Sequence, residues 1–172
     1  MKKTFLSLLA IVAFTTIFAQ DNNTGAELSI GANVGLPIGD FNTTSSVGFG
    51  GTAKFAYNFT PAAAATLEAG YMTFGGKTIS GFKFPSLNMI PIKAGFRYTL
   101  DGGIYFEPQL GLTSMSAKGG GSTTGFTYAI NIGYRMTPGI DVGARYETIS
   151  KDGNGSFIGL RVAYSFSLSG AN

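Results

Sequence analysis

Beyond residue 25 the apolar residues recur at every second position, in eight stretches separated by Gly, Pro, Asp, Asn, Ser and Thr. A period of two is that of a β-strand, whose successive side chains point to opposite faces. The first stretch places Leu28, Ile30, Ala32, Val34 and Leu36 on one face, and the last places Ile158, Leu160, Val162, Tyr164 and Phe166 there. The charges, which play no part in choosing that face, then test it. Glu27, Lys54, Glu68, Lys93, Arg97, Glu107, Arg135, Asp141, Arg145, Glu147 and Arg161 all fall on the opposite face, and none falls on the apolar one.

Alternation alone does not say which face is inside. Three features point the apolar face outward, to lipid. Each stretch is about ten residues, the length that crosses a bilayer at a tilt. The count is even, as in bacterial outer-membrane barrels. The connections alternate: Thr60-Pro61-Ala62, Asp101-Gly102-Gly103 and Thr137-Pro138-Gly139 are short, while 37–46, 75–86, 116–125 and 150–156 read as long. The expected fold is all-β, an eight-stranded antiparallel transmembrane β-barrel, with both termini and the short turns in the periplasm and four longer loops outside the cell. Two belts of aromatic residues fit the same reading, one with Tyr57, Tyr98, Tyr134 and Tyr164, the other with Phe49, Tyr71, Phe126 and Tyr146.

The first residues are a different kind of segment. Lys2 and Lys3 precede an apolar run from Phe5 to Phe18, and Ala19 offers a small residue for cleavage. This predicts a signal peptide over 1–19 and an outer-membrane barrel domain over 20–172. Removing the leader takes away two of 12 basic residues and none of 9 acidic ones, so 10 face 9 and the mature charge is about +1. Such a balance gives no footing for nucleic acid. The chain has no Cys and no His. It therefore lacks the usual general base of hydrolases and the common ligands of zinc, copper and haem. No catalytic residue, cofactor or metal is expected.

The chain resembles the small outer-membrane β-barrel family that includes OmpX, the OmpA transmembrane domain and opacity-type proteins. The resemblance covers about residues 26 to 166. It is carried by the eight-strand order, by Ile90-Pro91-Ile92-Lys93-Ala94-Gly95-Phe96-Arg97-Tyr98 and Phe106-Glu107-Pro108-Gln109-Leu110-Gly111, and by a last strand with Gly159, Val162, Tyr164 and Phe166. It implies location in the outer membrane of a Gram-negative bacterium, outer-membrane lipids as surroundings, and recognition of that last strand by the barrel-assembly machinery. Ser167 to Asn172 extend past the aromatic residue on which the family's chains usually end. No peptidoglycan-binding domain is expected to follow.

The inward face joins six basic and five acidic residues to many glycines, which leave room for long side chains. An eight-stranded barrel has an interior just wide enough to be filled by side chains, so these charges are expected to pair as a structural network. Gly119-Gly120-Gly121-Ser122 lacks the rest of a phosphate loop, Asp152-Gly153-Asn154-Gly155 lacks the later ligands of a calcium loop, and Asp141 and Glu147 sit among arginines. The leading function is a non-enzymatic envelope or surface-interaction barrel acting through its loops. The alternatives are a narrow passive pore and a secreted soluble barrel with its apolar face inward. Three-residue turns further predict register: Lys54 opposite Glu68, Arg97 opposite Glu107 and Arg135 opposite Asp141, each pair locking its hairpin.

Overall fold

The computed structural model describes residues 24–117, 120–136, 139–151 and 153–168. The signal peptide expected over 1–19 lies outside the described residues. Eight strands follow one another: β1 Gly25–Ile38, β2 Ser45–Asn58, β3 Ala63–Gly76, β4 Leu87–Thr99, β5 Ile104–Ala117, β6 Ser122–Met136, β7 Ile140–Ser150 and β8 Asn154–Ser167. Each pairs antiparallel with its neighbours in sequence, and β8 returns to β1 to close the barrel. The closing seam runs from Glu27 opposite Ser167 to Ile38 opposite Ser156. Closure leaves no strand edge unpaired, which is what allows strands to stand in lipid.

The apolar face points outward. Phe49, Leu67, Ile92, Leu110, Ile132 and Val162 are each more than half exposed, whereas Glu68, Lys93 and Glu107 are fully buried. A soluble ligand-binding barrel requires the reverse, so that alternative falls. Tyr57 and Phe59, and likewise Tyr164 and Phe166, stack edge-on at one end of the outer wall. At the other end the Tyr71 hydroxyl bonds Asn88 and the Tyr146 hydroxyl donates to Ser156. Each belt sets rings against the apolar zone, and at the second the hydroxyls meet polar groups.

Both described chain ends, the connections at 59–62 and 100–103 and Gly139 lie at one rim, the terminal rim; the connections at 39–44 and 77–86, Gly120, Gly121, Lys151 and Gly153 lie at the other, the loop rim. In the Asp101 turn, Gly102 and Gly103 both take positive φ (91° and 89°), a conformation open to glycine and strained for other residues.

The loop rim departs from expectation. The segments 116–125 and 150–156 are not long loops, because strand pairing continues to Ala117 and Ser122 on one hairpin and to Ser150 and Asn154 on the other. The physical reason is height. Fourteen residues reach about 46 Å along a strand, so at the usual tilt the wall rises roughly 35 Å, beyond an apolar band of about 25 Å. Above that band the outer face needs no apolar residues, so the hydrophobic alternation stops while Ser, Thr and Gly go on pairing. Among the described residues, two connections are elaborated. Phe41–Thr44 form a single helical turn, and 77–86 carry a small hairpin in which Thr78 pairs with Lys83 and Ile79 with Phe82.

Candidate functional site

The inside of the barrel is the place where this chain concentrates its chemistry. Ten of the eleven inward charges are buried, and Arg135, at the terminal rim, keeps 28% of its side chain exposed. They arrange themselves in three groups. In the middle, Glu68 meets Lys54 at 3.5 Å, Lys93 at 3.2 Å and Arg145 at 2.9 Å. Lys54 also holds Glu107 at 2.9 Å, and Glu147 takes Lys93 at 2.6 Å and Arg145 at 3.3 Å. Three cations thus balance three anions in a space closed to water. Beside them Arg161 holds Asp141 at 3.3 Å. At the terminal rim Glu27 faces two cations, Arg97 at 3.3 Å and Arg135 in a short contact.

Neutral side chains take up much of the remaining hydrogen-bonding capacity. Thr66 and Gln109 both donate to Glu107, at 2.9 and 2.7 Å. Tyr105 donates to Asp141 at 2.9 Å, and Arg161 donates to Ser29 at 2.6 Å. Arg97 donates to Asn58 at 3.0 Å. Within the described residues Arg97 Nε, Asn33 Oδ1 and Gln109 Oε1 have no hydrogen-bond partner. Buried ion pairs hold only when their remaining donors and acceptors are met, so these neutral residues belong to the site as much as the charges do.

Glycine makes the room, though not always for a charge. A Cβ on Gly159 would lie 2.8 Å from Arg145, and one on Gly31 would lie 3.0 Å from Arg161 Nε. At Gly35 and Gly48 the neighbour is the ring of Phe74, and at Gly133 it is the ring of Tyr105.

The hairpin registers are as the turns require, while the ion pairs mostly are not. Lys54 lies opposite Glu68 and Arg135 opposite Asp141, and the β4–β5 register runs from Gly95 opposite Gln109 to Tyr98 opposite Phe106, which brackets Arg97 and Glu107. Only Lys54 contacts its opposite number. Arg97 on β4 and Arg135 on β6 both reach Glu27 on β1, while Glu107 goes to Lys54 and Asp141 to Arg161. Register opposes two residues in the wall, but long side chains in a narrow closed barrel reach residues on strands that are not neighbours.

Sequence reasoning also missed an apolar layer. Met72, Phe74, Met89, Ile149 and Phe157 are buried together between the charges and the loop rim, with Phe41, Leu87 and Met115 against them. The Phe74 ring stands 5.0 Å from Phe41 and 5.2 Å from Phe157, and the Arg145 guanidinium lies over Phe157 at 5.6 Å. The signal was present: these strand residues share the parity of the charges. Gly159, Val162, Tyr164 and Phe166, the residues expected to form an assembly signal, lie along β8, with Val162 and Tyr164 exposed on the outer wall.

A family model described as the outer membrane protein β-barrel domain matches residues 6–166. No curated protein matches the chain. Among solved structures, Ail, the attachment invasion locus protein of Yersinia pestis, is similar over 83% of this chain and 99% of its own, with 18% identity and a TM-score of 0.60. The N-terminal β-barrel domain of Pseudomonas aeruginosa OprF covers 83% of this chain and 99% of its own, with 16% identity and a TM-score of 0.58. Neisserial surface protein A gives 82% and 97%, with 18% identity and a TM-score of 0.55. At these identities the likeness is one of fold.

Proposed function

We infer that this chain, which belongs to the outer membrane protein β-barrel family, serves as a closed, non-enzymatic barrel whose loop rim stands outside the cell and meets surface partners, with both termini in the periplasm. The observation that carries the reading is the filled lumen. Glu68, Lys93, Glu107 and Glu147 have side chains at most 2% exposed, and the apolar layer above them stands between them and the loop rim. An ion crossing this interior would have to displace paired charges and then pass through an apolar stopper, and each is a large barrier. The network is therefore structural: it fills the lumen, and it ties strands that are not adjacent in the wall.

Surface interaction is favoured by the loop rim. Phe82 is 64% exposed at the hairpin of 77–86 and stacks on Phe84 at 5.3 Å. Lys77, Lys83 and Lys151 belong to the loop-rim connections or their margins. One of the similar structures is by name an attachment protein. β8, with Gly159, Val162, Tyr164 and Phe166, is the strand we assign to recognition by the barrel-assembly machinery.

Conductance in planar bilayers tests the sealed lumen. The purified barrel is expected to show no stable unitary channels; their presence would replace this reading with the narrow passive pore. Orientation is tested by protease added to intact cells, which is expected to cut near Lys77, Lys83, Lys118 or Lys151 and to spare the opposite turns.

A further inference from the structure

Two prolines stand within adjacent strands of the wall, Pro91 inward on β4 and Pro108 outward on β5. Proline has no N–H to give a ladder, and in sheets it is confined to edges and bulges. This wall is closed and has no edge. Each proline interrupts one ladder. Between β3 and β4 the pairing runs from Ala63 opposite Tyr98 to Ala69 opposite Ile92 and resumes at Met72 opposite Met89, skipping Gly70 with Pro91 and Tyr71 with Ile90. Between β4 and β5 it runs from Leu87 opposite Ala117 to Gly95 opposite Gln109 and resumes at Tyr98 opposite Phe106, skipping Phe96 with Pro108 and Arg97 with Glu107. Both gaps flank the same strand. Among the described residues the other irregularity in the wall is a register shift between Ser45 and Gly48, at the loop-rim end of β2. Pro37 on β1 leaves no gap, because it keeps its place opposite Phe157 on β8 and pairing to β2 has already ended at Gly35. We propose that β4 is the compliant strand of the barrel, the element that shifts when the hairpin of 77–86 moves and carries that movement to Lys93 and Arg97 in the lumen.

The gaps are staggered. At Ile90 and Pro91 the strand is paired to β5 and not to β3, and at Phe96 and Arg97 it is paired to β3 and not to β5. In lipid a carbonyl opposite a proline meets neither its ladder donor nor water, so part of the energy that holds the other strands is missing on both sides of β4. Side chains do not bridge the second gap, since Arg97 reaches across to Glu27 on β1 and Glu107 to Lys54 on β2. At the first gap Gly70 has no side chain to offer. The contacts that remain stand to either side of it: the Tyr71 hydroxyl donates to Asn88 at 3.0 Å, and Lys93 meets Glu68 at 3.2 Å. Elements that move are drawn from the least stable part of a fold. The hairpin of 77–86 passes directly into β4 at Leu87, so a tilt of the hairpin pulls on the strand with the most interrupted pairing. Lys93 joins Glu68 and Glu147, and Arg97 holds Glu27, so a shift of β4 reaches both the central charges and the group at the terminal rim.

The test is amide hydrogen exchange of the full barrel in lipid nanodiscs, resolved by residue with NMR. The amides from Ile90 to Arg97 should exchange at least about tenfold faster than those of Ile130 to Ile132 on β6 and Ala144 to Tyr146 on β7, whose shared ladder is continuous. Pro91→Ala and Pro108→Ala each restore a donor. Each should slow exchange in β4 about three- to tenfold, the range that one net backbone hydrogen bond supplies, and Pro37→Ala should leave it unchanged. Pro91→Val and Pro108→Val, which suit a strand, repeat the test where an alanine variant does not fold, with folding verified by heat-modifiability on a gel. The chain has no cysteine, so Ser80→Cys at the exposed tip of the hairpin takes a single biotin label. Loading that label with streptavidin should raise exchange in β4 and leave β6 and β7 unchanged. Three results would each overturn the proposal: protection of β4 equal to that of β6 in the natural chain, a double alanine variant that exchanges like its parent, or a streptavidin effect absent from β4 or spread evenly over the wall.

Discussion

Two levels of one lumen are built from opposite chemistry. Around Glu68 the barrel is filled by three cations and three anions in mutual contact. A few residues nearer the loop rim the same inward parity of β3, β4, β7 and β8 carries Met72, Phe74, Met89, Ile149 and Phe157. The strands are the same and so is the face. What differs is the distance to water. In the middle of the wall lipid surrounds the barrel on every side, and only other side chains can satisfy an inward group. At the loop rim the wall stands above the apolar band and the opening faces solvent, so an apolar layer is what keeps water from the pairs below. Keeping water out also strengthens those pairs, because their attraction rises as the local dielectric falls. Arg145 joins the two levels, bonding Glu68 on one side and lying over Phe157 on the other.

The strongest way to break this comparison is to remove the hub of the charged level. Glu68→Gln leaves Lys54, Lys93 and Arg145 without their shared anion and is expected to destabilise the folded barrel by about 3–5 kcal/mol. Urea unfolding in lipid vesicles, followed by the shift of the folded band on unheated gels, measures it. A loss below 1 kcal/mol, on the order of an exposed pair, would mean that water reaches the middle of the lumen.

An effect of about 2–4 kcal/mol is expected on the outer wall for Leu160→Arg, if the site lies near the bilayer midplane. Thr127→Ser on the inward side, where the side chain is fully buried, should do much less to membrane insertion, as read by co-sedimentation with vesicles. Equal tolerance at the two sites would contradict the assigned faces.

The apolar level should answer with a somewhat smaller change. Phe74→Ala is expected to cost about 3 kcal/mol, the low end for a buried ring, since a layer near the rim can collapse around the gap. Its second consequence sharpens the contrast: the charged level below should become hydrated, and the stability of the variant should depend more on salt than that of the parent.

The smallest effect separates wall register from reach across the lumen. A double-mutant cycle between Arg97 and Glu27 should give a coupling of about 1 kcal/mol, while the same cycle between Arg97 and Glu107, its register partner, should come out nearer zero. The opposite ranking would show that hairpin register chooses ion-pair partners after all.

The alternation of apolar residues determined by itself a great deal of this protein: strand identity, eight-fold count, the face of every inward charge, and the register of all three hairpins at the terminal rim. These are local properties. The two-residue period of a strand, and a turn of fixed length between two such strands, leave one parity and one register. Pro61 and the paired glycines at 102 and 103 mark turns as plainly as any residue can. Above the apolar band the same signal is silent, since pairing there needs no hydrophobic side chain, and so the continuation of β5 into Ala117 and the return of β6 from Ser122 emerged only from the structure. Closure decided the rest. Glu27 meets Arg97 and Arg135 from strands far along the chain, and Phe41, Phe74 and Phe157 gather from a connection and two separate strands. No spacing in the sequence encodes those meetings, because they depend on the width of the closed wall and on how far each side chain reaches across it.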